Sequence, residues 1–91
     1  MTILEKLIED VQETLPTVVV NMDRPIAPEG RWFVDFRYHK RDVVLEWDAR
    51  GERFGVTLNT SDVGYGERSA WVTTHYYRAF ARILGLLAYG T

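Results

Sequence analysis

The sequence predicts an α+β domain of order α-β-β-β-β-α, a twisted antiparallel meander sheet with two amphipathic helices packed on one face. Three observations predict it. Apolar residues recur at helical spacing at both ends of the chain. The middle alternates apolar and polar residues with a period of two. Short turn-like links separate the alternating runs.

The first helix is expected over roughly 3–14. Ile3, Leu4, Leu7, Ile8, Val11 and Leu15 form one apolar stripe, Thr2 with Glu5 makes a capping box, and Pro16 ends the helix. Residues 17–22, TVVVNM, are β-branched and read as a strand at the sheet edge or beside the first long strand. DRPIAPEG (23–30), with two prolines and a glycine, cannot continue it. In RWFVDFRY (31–38), Trp32, Val34, Phe36 and Tyr38 face one way, while Phe33, Asp35 and Arg37 face the other. VVLEWD (43–48) and RFGVTL (53–58) alternate likewise.

With turns at Lys40-Arg41 and Arg50-Gly51, Val34 is expected opposite Trp47 and Phe36 opposite Leu45. Trp47 then meets Phe54, and Leu45 meets Val56. On the polar face, this register sets Asp35 against Glu46, with Arg37 near enough to relieve the like charges, and Asp48 against Arg53. Residues 59–70 show no periodicity. A second helix is expected from Thr73 or Thr74, either supplying the N-cap oxygen, to Tyr89, with Arg78 and Arg82 pointing to water.

Length and composition fit a single domain over 1–91: 46% hydrophobic residues can build one core. The chain has no cysteine, which excludes disulfides and cysteine-based zinc sites and fits a cytoplasmic setting. Apolar runs are far shorter than the ~20 residues of a membrane span. MTILEKLIEDV carries acids among its apolar residues and does not read as a signal peptide. A net charge of −2 argues against nucleic acid as partner, and the cluster Arg37, Lys40, Arg41 reads as a solvated hairpin tip.

No familiar catalytic motif is present. His39 and His75 are the residues a small hydrolase or nuclease would use, but their spacing does not suggest convergence on one substrate. Asp35, Glu46 and Asp48 could gather on the outer face as oxygen ligands for calcium, though without the loop spacing of a dedicated site. Trp32 and Trp47, which could stack bases, fall on the face the helices cover. Phe33 and Val44 form an apolar pair in the polar face and mark a partner site or a homodimer contact. Gly64-Tyr65-Gly66 lacks the third glycine of a dinucleotide fingerprint, since Ser69 takes that position; it reads as a turn whose Tyr65 can touch a protein surface. The expectation is a non-enzymatic module without a cofactor. It would bind a protein partner through Phe33, Val44, Tyr65 and Arg37.

The succession GRWFVDFRY, VVLEW, RFGVTL and GYGE, followed by an amphipathic helix, resembles a group of small bacterial modules over residues 30–87. Those modules carry a Trp-rich strand, a VVEW strand, a GFGVS strand and a GYGE loop, and lie beside or are fused to helix-turn-helix regulators. The resemblance implies a regulatory or accessory role of the antitoxin, immunity or inhibitor kind. The Pro-Asp-Glu-Val stretch that follows GYGE in the group is replaced here by Arg68-Ser69-Ala70-Trp71-Val72, and the chain contains no helix-turn-helix.

Overall fold

A computed structural model describes residues 2–23, 30–58 and 71–89. Helix α1 spans Ile3–Thr14. The capping box forms: Thr2 Oγ1 accepts from the Glu5 N–H at 3.1 Å, and the Glu5 carboxylate accepts from the Thr2 backbone and hydroxyl. Strands β1 (Val19–Asp23), β2 (Arg31–Tyr38), β3 (Arg41–Asp48) and β4 (Arg53–Leu58) follow, then a two-residue strand β5 (Val72–Thr73). The sheet is antiparallel in the order β1-β2-β3-β4-β5. Thus β1 is both the edge strand and the neighbour of β2. Helix α2 spans Tyr76–Leu84 and continues as a π-helical segment, Gly85–Tyr89.

The period-two pattern sorts the side chains into two faces. Val34 and Phe36 of β2, Val43 and Leu45 of β3, and Phe54 and Val56 of β4 are buried. They form one cluster with Leu4, Leu7 and Val11 of α1, Ala79 and Ile83 of α2, and Leu86 and Leu87 beyond it. Two further contacts hold the helical segments. The Tyr76 hydroxyl donates to the Asp10 carboxylate, joining α2 to α1. The Arg41 guanidinium donates to the Leu87 carbonyl at 3.3 Å, tying the start of β3 to the π-helical segment.

Four local expectations are corrected. The first hairpin turns at His39-Lys40, one residue earlier than expected. Both residues have positive φ, 48° and 67°, as the two-residue turn matching the sheet's right-handed twist requires. Val34 therefore faces Leu45, Phe36 faces Val43, and Trp32 faces Trp47, two positions along β3 from the expected partners. The faces survive because a shift of two preserves the alternation. The second hairpin keeps its expected register, Trp47 against Phe54 and Leu45 against Val56.

Secondly, a short fifth strand precedes α2, where Val72 pairs with Gly55 and Thr73 with Phe54. Thirdly, α2 begins later than expected, with His75 at the N-cap. Its side chain makes no cap; the Thr73 hydroxyl instead accepts from the His75 N–H at 3.1 Å. Finally, Arg82 does not simply point to water: it is half-buried, and its guanidinium lies 5.6 Å from the Trp71 ring centroid.

A left-handed backbone costs an L-residue about 1–2 kcal/mol, a cost glycine escapes. Lys40→Gly should raise stability by about 1 kcal/mol in urea unfolding. A loss of stability would mean that the turn does not hold Lys40 at positive φ.

Candidate functional site

The outward face of the sheet collects the chain's chemistry, and the register orders it in rows. Asp23, Phe33, Glu46, Gly55 and Val72 form one row across the five strands; Asn21, Asp35, Val44 and Thr57 form the next. Toward the β2–β3 turn lie Val19, Arg37 and Asp42, and at the other end Arg31, Asp48 and Arg53.

Among the described residues, three ion pairs lace this face. Arg37 meets Asp42 at 3.1 Å and Arg53 meets Asp48 at 3.5 Å, both direct cross-strand pairs. Arg31 reaches diagonally to Glu46 at 3.3 Å. The Asp48–Arg53 pairing is the one the sequence predicts. The like-charge contact of Asp35 with Glu46 does not occur: Asp35 faces Val44, and Glu46 faces Phe33. Arg37, expected to relieve Asp35, is engaged with Asp42 instead.

Glu46 is 8% exposed, the one charged residue among the buried ones described. Arg31 supplies the positive charge that a buried carboxylate needs. Beside Glu46, the absent side chain of Gly55 leaves room for a cleft of about 250 Å³ lined by Glu46, Asp48, Arg53, Gly55 and Val72. Asp48 is held below the usual carboxylate range, first by the Gly51 N–H it accepts at 3.2 Å and then by Arg53.

Asp35 differs from the other carboxylates of this face. Its Oδ1 is buried without a hydrogen-bond partner among the described residues. Burial, and then the charges of Asp23 and Asp42, push its carboxyl above the ordinary range. Asp35, Glu46 and Asp48 thus have separate surroundings. Among the described residues, no three of His, Cys, Asp and Glu are gathered to hold a metal ion.

Phe33 and Val44 lie on the same outward face as diagonal neighbours, both half-buried, with Arg37 exposed at the rim. Tyr65 and the rest of Gly64-Tyr65-Gly66 lie outside the described residues. His39 sits exposed in the β2–β3 turn, its ring edge-on to Tyr38 at 4.2 Å, and His75 is exposed ahead of α2. Trp32 and Trp47 pack against the core from the opposite face. They line a cleft of about 410 Å³ with Leu4, Met22 and the capping-box residues Thr2 and Glu5. Sequence reasoning missed the Arg31–Glu46 and Arg37–Asp42 pairs, because each depends on the turn position.

No family model, curated protein or solved structure matches the chain. No described helix is long and apolar enough to cross a membrane.

The elevated Asp35 carboxyl has a signed consequence. The folded chain retains a proton there that the unfolded chain has already released. The stabilisation is complete below the ordinary carboxylate pKa and is lost as pH rises through the elevated value. Asp35→Asn should therefore raise the urea midpoint near pH 7, with a gain that shrinks toward pH 3. An equal gain at both pH values would contradict the assigned cause.

Proposed function

We propose that the chain is a small non-enzymatic module that acts by binding a protein partner through the outward face of its sheet. The observation that carries this reading is the Phe33–Val44 pair, an apolar centre amid the Arg31–Glu46, Arg37–Asp42 and Arg53–Asp48 ion pairs. An apolar centre ringed by polar groups is the usual anatomy of a protein–protein interface. Arg37 at the rim adds a guanidinium to the contact, and Tyr65 belongs to the proposed contact on sequence grounds. An accessory role of the antitoxin, immunity or inhibitor kind rests on the resemblance alone.

The test uses substitutions that the fold should accept. Phe33→Arg falls beside Asp23 and Glu46, and Val44→Lys falls opposite Asp35, so each new cation meets acids within its own sheet. The tagged chain, cross-linked in the cells that make it, should recover one stoichiometric protein. The double variant should lose it at least tenfold while keeping its circular dichroism. Recovery of no partner, or an undiminished partner with the double variant, would refute the proposal.

A further inference from the structure

We infer that β1 is a dimerisation edge, along which a second copy of the chain pairs antiparallel about Asn21 and joins the two sheets into one. The two edges of the sheet differ. β5 has two residues, too short to template a further strand, whereas β1 has five and pairs only with β2 among the described residues. Edge strands are usually blunted by lysine, proline, a bulge or shortness. Val19–Asp23, VVNMD, has no lysine and no proline, and its register with β2 runs unbroken. Val19, at its start, is 54% exposed.

The strand is complementary to itself. A two-fold axis through Asn21 is the register that pairs all five residues of each copy. Val20 and Met22, which pack against the core, then face Met22 and Val20 of the second copy, so apolar meets apolar on the inward side. On the outward side the two Asn21 amides meet, able to donate and accept across the axis. Each Asp23 faces a Val19, which keeps the two aspartates about 13 Å apart along the strands at 3.3 Å per residue. The Phe33–Val44 surface lies on the sheet's face and not its edge, so neither reading depends on the other.

Val19 supplies a test in which two substitutions must act in opposite directions. Within its own chain Val19 lies opposite Arg37; across the proposed axis it lies opposite Asp23 of the second copy. V19D is favourable beside Arg37 but sets two like-charge pairs across the interface. V19K is unfavourable beside Arg37 but makes two opposite-charge pairs there. Sedimentation equilibrium at low salt should show a dimer for the parent chain. V19D should weaken it and V19K tighten it, each by about two- to thirtyfold, the effect of two cross-strand charge pairs. A parent chain that stays monomeric up to millimolar concentration overturns the inference. So does a dimer that V19K fails to tighten, or that both substitutions shift in the same direction. If V19D failed to fold, V19K would still decide.

Discussion

The two-residue turn at His39-Lys40 is the constraint on which the rest of the sheet depends. Its positive φ angles bring Tyr38 opposite Arg41, and that pair sets every later pair of β2 with β3. Neither residue favours this backbone region, so the turn is held against local preference by what it aligns. The alignment puts Val34 against Leu45 and Phe36 against Val43, all fully buried. These four side chains form the floor on which Leu7, Val11, Ile83 and Leu87 join the same cluster. A one-residue slip would turn the floor outward and put Phe33, Asp35, Val44 and Glu46 in its place.

The same turn decides the electrostatics of the opposite face. Pairing Phe33 with Glu46 and Asp35 with Val44 separates the two carboxylates that another register would press together. It also puts Arg37 against Asp42 and brings Arg31 within reach of Glu46. The exposed Arg37–Asp42 pair adds little stability, typically under 1 kcal/mol, while Arg31 compensates the buried Glu46 carboxylate. What the ion pairs do is surround Phe33 and Val44 with satisfied charge, leaving the apolar pair as the feature to which a partner's apolar side chain can add. Asp35 is the exception: it sits beside Val44 with an oxygen that has no partner among the described residues, and its elevated pKa reflects first its burial.

Much of the fold was legible in the sequence. The α1 stripe, its capping box and the strand alternation are local patterns, and each element lies within a few residues of its expected bounds. The second hairpin was legible because Gly51 lies in its loop, although the positive φ there, 51°, falls on Glu52. The first was not: His39-Lys40 carries no glycine or asparagine to mark a positive φ, so Lys40-Arg41 looked equally suitable. From that one ambiguity came the mistaken Asp35–Glu46 contact and the unforeseen Arg31–Glu46 pair. The late start of α2 was hidden for another reason, since Val72 and Thr73 pair with β4 through backbone contacts that no local pattern announces. The composition of the candidate surface was readable from alternation, but its pairwise geometry was not.

The central claim is the register that this turn imposes. The most direct measurement is the set of cross-strand backbone nuclear Overhauser contacts between β2 and β3 in isotopically labelled protein. Val34 is expected directly across from Leu45, Phe36 from Val43 and Trp32 from Trp47. Contacts placing Val34 across from Trp47 and Phe36 across from Leu45 would contradict it.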